Sequence, residues 1–309
     1  MVTPRKLNVH FCYPSYGGNG GIACEHPSIR KWAVQTTIAA KADPRIGKIT
    51  EATENDTPIT MVRNRFVEQA RLLEADILVM VDSDQEPDMY ADKPKFWDTT
   101  FDFIFNHYDR GPCVVGAPYV GPPPKGGGGW GECCYVFRWA SLNSGPNKEL
   151  NLQMYGRDEA ATLTGICPVA ALPTGLIAYD MRCFDLIEHP YFEYEWKDEK
   201  QCQKASTEDV ENTRNISLAG CRDLGYNPVY CNWDCWAGHW KPLCAGKPVV
   251  YGPEDVNKKY LKAVRAKNHQ VIEMGGAIPA ESELGKRILG KDPTVACAVK
   301  TPDGNGRSV

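Results

Sequence analysis

The stretch ILVMVDSD at residues 77–84 decides the fold, because five consecutive apolar residues are followed directly by two aspartates. An apolar run of this length without alternation predicts a strand buried on both faces, as in the centre of a parallel sheet. In open α/β sheets, ligands bind beyond the carboxyl ends of the strands. The aspartates at positions 82 and 84 therefore mark the expected site.

The segments around this strand alternate between helical and extended patterns. Upstream, Val62, Phe66 and Ala70 recur at helical spacing, which predicts a helix with Thr57 as its N-cap and Pro58 in the first helical position. Further strands are expected at residues 7–15, 49–53, 113–117, 134–139, 174–179 and 228–233, and further helices at residues 27–41 and 207–219. Strand–helix alternation is the signature of a doubly wound sheet. We predict an α/β fold with a mainly parallel sheet flanked by helices.

The length of 309 residues is sufficient for one large domain. We expect a single domain over residues 1–288, with a donor half at about 5–120, an acceptor and catalytic half at about 121–245 and a C-terminal extension at 246–288. Residues 289–309 are polar and rich in Gly and Pro, which predicts a flexible tail.

The composition is ordinary for a folded soluble protein, with 42% hydrophobic and 24% charged residues. The net charge of −4 argues against a chain that coats nucleic acid by bulk charge, although a local basic groove is compatible with it. No apolar run approaches the ~18 residues of a membrane span, and the first residues lack a signal-peptide pattern. We expect a cytoplasmic protein whose 13 cysteines are mostly buried thiols.

Two acidic pairs could carry chemistry. Asp82 and Asp84, two residues apart at a strand end, suit a hard divalent cation that also holds diphosphate oxygens. An exposed acidic turn is the structural alternative. Glu208 and Asp209 open a predicted helix, where the helix dipole favours acids whatever their role. The functional alternative makes one of them the general base that deprotonates an acceptor hydroxyl.

A histidine in the segment WAGHWK at residues 236–241 allows two different metal sites. His239 could pack as an ordinary core residue, or it could give a neutral imidazole to a metal held by Asp84. It also belongs to the series Cys231, Cys235, His239 and Cys244, all of which are zinc-type ligands. The C-x2-C knuckle common in zinc sites is absent, and structural zinc is kept as the alternative.

The order of these motifs resembles a known family over roughly residues 5–242. The matching segments are Pro14-Ser15, Arg63-Asn64, Asp82-Ser-Asp84, Pro173-Thr-Gly175, Glu208-Asp209 and Gly238-His239. This order is similar to that of the nucleotide-sugar glycosyltransferases of GT-A fold that carry an Asp-x-Asp motif. The resemblance implies a GT-A-like, Rossmann-like version of the predicted α/β fold.

The same resemblance implies a role for each matching residue in catalysis. Asp82 contacts the nucleotide ribose, Asp84 and His239 bind Mn2+ or Mg2+, and Asp209 is the general base beside Glu208.

It also implies a donor site. Pro14 and Ser15 border the nucleotide base, Arg63 faces the donor phosphates, and Gly175 lies by the donor sugar.

The predicted function is metal-dependent transfer of a sugar from a nucleoside-diphosphate sugar, with a UDP-sugar as the first candidate, to a hydroxyl acceptor. The acceptor could be a 5-hydroxymethyl pyrimidine in phage DNA, a glycan or a protein. Lys125 and Trp130 in a glycine-rich loop, with Arg138 on the strand after it, are the candidate acceptor contacts. The alternatives are a nucleotidyltransferase of the same fold and a non-enzymatic, zinc-stapled binding protein.

Overall fold

A computed structural model describes residues 5–15, 27–54, 58–121, 133–141, 150–197, 199–201, 204–242 and 248–251. The α helices in these ranges are α1 (Pro27–Ala42), α2 (Ile59–Leu72), α3 (Phe96–His107), α4 (Arg157–Ala160) and α5 (Glu208–Asp223), and a 3₁₀ helix spans Met181–Asp185. The strands are β1 (Leu7–Pro14), β2 (Ile46–Glu54), β3 (Ile77–Val81), β4 (Gln85–Glu86), β5 (Val114–Gly116), β6 (Val120–Gly121), β7 (Cys133–Ser141), β8 (Leu150–Gly156), β9 (Ile166–Pro168), β10 (Leu176–Asp180), β11 (Glu195–Trp196), β12 (Lys204–Ser206), β13 (Val229–Asn232), β14 (Gly238–Pro242) and β15 (Pro248–Tyr251).

A central sheet of seven strands runs in the order β2-β1-β3-β10-β5-β13-β9. Strand β1 is parallel to β2 and β3, and β5 is parallel to β13. Strand β10 is antiparallel to both β3 and β5, and β9 is antiparallel to β13. Five strands therefore share one direction, which confirms the predicted α/β class with a mainly parallel sheet flanked by helices.

Strand β3 separates the two hydrophobic cores of the sheet. Its alternate side chains point to opposite faces, so Leu78 and Met80 pack with α2 while the other three residues pack with α1 and α3. All five residues are fully buried, as the apolar run predicts. The apolar run also predicted parallel strands on both sides of β3. One neighbour, β1, is parallel to it, but the other, β10, is antiparallel.

Most predicted elements lie within a few residues of their observed bounds, and the clearest omission is α3. The sequence FWDTTFDFIFNH is rich in aromatic residues of modest helix propensity, yet Phe96, Trp97 and Phe101 bury one face of the helix in the core. Tertiary burial therefore outweighs local propensity here. Helix α2 begins one residue later than predicted, with Pro58 at the N-cap position, and the predicted cap Thr57 lies outside the described residues.

The described residues also form three smaller sheets. Strand β4 pairs with β14, which also pairs with β15, while β6, β7 and β8 form another sheet and β11 pairs with β12. The proposed C-terminal extension is described only at β15, and the predicted tail lies outside the described residues. None of the helices in the described ranges combines the length and apolar character needed to cross a membrane.

The burial of β3 predicts a large stability difference between two leucines. Leu78→Ala removes a fully buried side chain from the central strand and should lower the free energy of unfolding by about 2–5 kcal/mol. The same substitution at Leu72, which is 84% exposed, should change it by less than about 0.5 kcal/mol. Urea unfolding of both variants gives the comparison. Equal losses would contradict the central position of β3.

Candidate functional site at the carboxyl end of β3

The site begins where β3 ends. The backbone N–H of Asp82 donates to the carbonyl of Gly175, 2.8 Å away, and the N–H of Gln85 donates to the carbonyl of Asp82 at 3.1 Å. The first bond joins the end of β3 to the segment before β10, and the second closes a turn after which the chain enters β4. Strand β1 is parallel to β3, with Cys12 opposite Met80, so Pro14 and Ser15 end at the same edge as Asp82.

A buried arginine links three elements beneath this edge. Arg63 on α2 places one terminal nitrogen 3.0 Å from both carboxylate oxygens of Asp82, and its Nε lies 3.7 Å from Oε1 of Glu208 on α5. Burial opposes the charge of Arg63, but the carboxylates raise its pKa above the ordinary value. Arg63 thus holds acidic residues in place, and its position facing the donor phosphates stays a prediction of the resemblance.

Two of the carboxyl groups beside Arg63, those of Asp82 and Glu208, have raised pKa values. Burial raises the pKa of Asp82, and the charges of Asp84 and Asp209 raise it further, while Arg63 opposes the shift. Burial and the charge of Asp209 likewise raise the pKa of Glu208. The charges of Asp82, Glu208 and Asp209 all act on Arg63, so this guanidinium lies within an acidic cluster.

Asp84 and His239 form the second part of the site. Strand β14 pairs with β4 so that His239 lies opposite Gln85, and His239 Nε2 lies 3.4 Å from Asp84 Oδ2. The Nδ1 atom of the same ring lies 3.1 Å from the carbonyl of Val120. Because a carbonyl oxygen can only accept, this hydrogen bond places a hydrogen on Nδ1, and Nε2 is the ring nitrogen that faces Asp84. This arrangement suits metal coordination.

Glu208 and Asp209 are the first two residues of α5. Thr207 occupies the N-cap position without a side-chain capping bond, and its hydroxyl donates instead to Oδ1 of Asp209. The N–H of Val210 donates to the same oxygen at 2.8 Å. These two bonds fix the orientation of the Asp209 carboxylate, and the helix dipole favours its charge.

Two side chains of the site pack closely against the backbone of Gly175. A Cβ atom at this position would lie 2.7 Å from Cε1 of Tyr119 and 2.8 Å from Nε2 of Gln85. Both neighbours belong to the site, since Tyr119 packs edge-on against His239 with ring centroids 4.8 Å apart and Gln85 Nε2 lies 3.4 Å from Asp84 Oδ1. Glycine is therefore required by the space that these side chains occupy.

Tyr119 and Gln85 are site residues that the sequence analysis missed. Gln85 is fully buried, and its Oε1 has no hydrogen-bond partner among the described residues. Burial raises the pKa of Tyr119 well above the ordinary value, and the charges of Asp209, Asp82 and Asp84 add to the shift. The position of Gln85 directly after the acidic triplet was an available signal, but Tyr119 comes from a segment with no motif.

Of the three candidate acceptor residues, the structure describes Arg138. This residue is fully buried, forms an ion pair with Glu159 and lies 4.7 Å from the ring centroid of Tyr155. Its guanidinium is thus enclosed by residues of β8 and α4, and its contact with an acceptor stays a prediction. Lys125 and Trp130 lie outside the described residues.

The zinc alternative gains no support from the described cysteines. Cys231 is buried in β13, and Sγ of Cys235 lies 3.3 Å from the Thr99 hydroxyl and 3.2 Å from the carbonyl of Pro94. Cys244 lies outside the described residues. Across the ranges that the structure describes, no group of three or more His, Cys, Asp or Glu side chains is arranged to hold a metal ion. Asp84 and His239 are the candidate metal ligands that the structure places side by side.

Comparisons with known proteins show distant structural likeness. No protein-family model and no curated protein matches this chain. A197 from STIV is similar over 80% of this chain and 95% of its own, with 14% identity and a TM-score of 0.46. UDP-glucose pyrophosphorylase complexed with UDP-glucose is similar over 86% of this chain and 99% of its own, with 9% identity and a TM-score of 0.37. GalNAc-T7 with UDP, GalNAc and Mn2+ is similar over 85% of this chain and 48% of its own, with 14% identity and a TM-score of 0.36. At these values, no activity is transferred from them to this chain.

The ion pairs of α2 predict a contrast between two arginines. Arg63→Leu leaves Asp82 and Glu208 without their cation and should cost about 3–5 kcal/mol of unfolding free energy at neutral pH. The cost should shrink as pH falls through the raised pKa values of these carboxyls, because protonated carboxyls need no counter-charge.

Arg71→Leu on the same helix is the matched control, since its partner Asp185 is exposed and such pairs contribute at most about 1 kcal/mol. Urea titrations over a range of pH measure both variants. Indistinguishable losses would show that the buried pair has no special role.

Proposed function

We propose that this protein is a metal-dependent glycosyltransferase that moves a sugar from a nucleoside-diphosphate sugar to a hydroxyl acceptor. The observation that carries the proposal is that two pairs of side chains lie at one sheet edge. One is the Asp84–His239 pair, whose atoms are 3.4 Å apart, and the other is the Glu208–Asp209 pair at the start of α5. The charges of Asp84 and Asp209, one from each pair, both act on Asp82 and on Tyr119. We take a UDP-sugar as the first donor to test.

Asp84 and His239 are the residues that would hold Mn2+ or Mg2+. One carboxylate with an imidazole leaves coordination positions for diphosphate oxygens, which is how such cations are usually shared between protein and substrate. When bound, the cation neutralises the charge that develops on the leaving nucleoside diphosphate. The hydrogen bond from Nδ1 of His239 to Val120 supports this assignment, because it leaves Nε2 as the ring nitrogen that faces Asp84.

Asp209 is the proposed general base. Its Oδ1 is held by the Thr207 hydroxyl and the Val210 N–H, so the carboxylate presents a fixed face to an incoming hydroxyl. Removal of the acceptor proton by a positioned carboxylate makes the oxygen a better nucleophile towards the sugar carbon. Glu208 differs from its neighbour, because it is buried against Arg63 and serves to position the cluster.

Asp82 and Arg63 lie on the side of the site where we propose that the donor binds. The guanidinium fixes the Asp82 carboxylate at 3.0 Å, and the backbone of Asp82 is tied to Gly175. The partly exposed side chain of Asp82 is available to accept from a ribose hydroxyl, with Pro14 and Ser15 at the same sheet edge to border the base. A hydroxymethylated DNA base, a glycan and a protein stay the candidate acceptors.

Asp84→Asn tests the cation assignment. The amide keeps the shape of the side chain but loses its charge, so manganese-dependent UDP affinity should fall by at least about 10–100-fold, the loss typical even of the outer partners of a metal site. Calorimetry with and without manganese measures it. Asp109→Asn, at an exposed aspartate, should change nothing, and an unchanged affinity in Asp84→Asn would remove Asp84 from the metal site.

Asp209→Asn tests the base. Transfer should fall by about 10²–10⁴-fold while donor binding is retained. The assay compares hydroxymethylcytosine DNA, a glycan and a peptide as acceptors at low and high salt, since transfer to DNA should weaken as salt rises. Asp223→Asn, at the other end of the same helix, is the matched control. Near-normal turnover in Asp209→Asn would move the base elsewhere.

A further inference from the structure

Packing as well as hydrogen bonding orients the His239 ring. The bond from Nδ1 to the Val120 carbonyl holds one atom of the ring, and aromatic side chains contact the rest of it. Tyr119 and Tyr135 pack against the same imidazole, with ring centroids at 4.8 Å and 5.9 Å and interplanar angles of 61° and 77°. The nearer ring belongs to the residue directly before Val120.

Tyr119 is itself held firmly. Its carbonyl accepts from the N–H of Tyr135 at 3.0 Å, and the carbonyl of the preceding residue Pro118 accepts from the N–H of Ala237 at 3.0 Å. The latter bond ties this segment to the chain just before β14, which carries His239. Only 5% of Tyr119 is exposed, so little freedom is left for its ring to move.

The position of the Tyr119 ring depends on Gly175. A Cβ at position 175 would lie 2.7 Å from Cε1 of this ring, a distance that real Cβ contacts essentially never show. The glycine therefore leaves the space that the ring fills. Since Gly175 also accepts the hydrogen bond from Asp82, the ring is fitted between the end of β3 and His239.

We propose that Tyr119 is a positioning residue for the metal pair: its ring, seated in the space beside Gly175, holds the His239 imidazole with Nε2 towards Asp84. The proposal rests on the metal assignment made under the proposed function. The ring performs this role, so the phenol oxygen is dispensable for it. Val120 contributes a backbone acceptor and Tyr119 an aromatic edge, and two consecutive residues thereby fix one histidine.

Manganese titration of three variants tests the proposal, by calorimetry with and without UDP. Tyr119→Leu should weaken manganese binding by about 10–100-fold, as loss of an outer partner of a metal ligand does. Tyr119→Phe keeps the ring and should bind manganese as the unaltered chain does. Tyr226→Leu removes a tyrosine that bonds to Pro112, away from the site, and controls for a general loss of stability, with thermal unfolding followed for each.

A second readout reports on the ring directly. In ¹⁵N spectra of the histidine side chains, Tyr119→Leu should alter the His239 signals before any metal is added, and Tyr119→Phe should leave them in place. Gly175→Ala should disturb the same signals by displacing the ring. The effects of Gly175→Ala and Tyr119→Leu on manganese binding should be less than additive when combined, because they act through one contact.

The outcomes distinguish a failure of the role of Tyr119 from a failure of the proposed function. Folded Tyr119→Leu that binds manganese normally, or Tyr119→Phe that loses binding as strongly as Tyr119→Leu, would overturn the role of Tyr119 and leave the proposed function standing. An unaltered chain that binds no manganese in either condition would overturn both.

Discussion

The contact between Arg63 and two acidic residues from different elements is the interaction on which the site depends. Arg63 lies on α2, Asp82 follows β3, and Glu208 opens α5. A buried guanidinium needs such partners, because an unpaired charge in the interior costs several kcal/mol. The carboxylates need it equally, since burial and mutual repulsion raise the pKa values of both. The pairing therefore fixes the relative positions of helix, strand and helix at the sheet edge.

The sheet order explains why the remaining residues arrive at the same place. Strand β10 runs back between β3 and β5, so Gly175, just before its start, lies beside Asp82 at the end of β3. The two-residue strand β4 then pairs with β14 and brings His239 to Asp84. Each of these contacts joins residues far apart in the chain, so the fold collects at one edge groups that come from separate segments.

The sequence was sufficient for the features that local patterns encode. The apolar run before Asp82 predicted a fully buried strand, and periodicity placed α1, α2 and α5 within a few residues. The order of motifs placed Asp84 and His239 in one predicted site, although no local pattern relates the two residues. In the structure the two side chains lie 3.4 Å apart.

Features set by tertiary contacts were not predictable in the same way. Helix α3 forms because its aromatic face is buried, against modest propensity. The antiparallel direction of β10 depends on chain connections that no local pattern records. No local pattern records the buried ion pair of Arg138 with Glu159. The importance of Tyr119 follows from the missing side chain of Gly175, a contact visible only in three dimensions.

The most direct measurement of the central claim is product analysis with a panel of nucleotide sugars and manganese. Even without an acceptor, water can receive the sugar slowly, so the account predicts release of free sugar and a nucleoside diphosphate from one donor, abolished by a chelator. Formation of pyrophosphate from a nucleoside triphosphate and a sugar phosphate would instead identify a nucleotidyltransferase. Tight stoichiometric zinc with no turnover of any donor would identify a zinc-stapled binding protein, and either result would contradict the account.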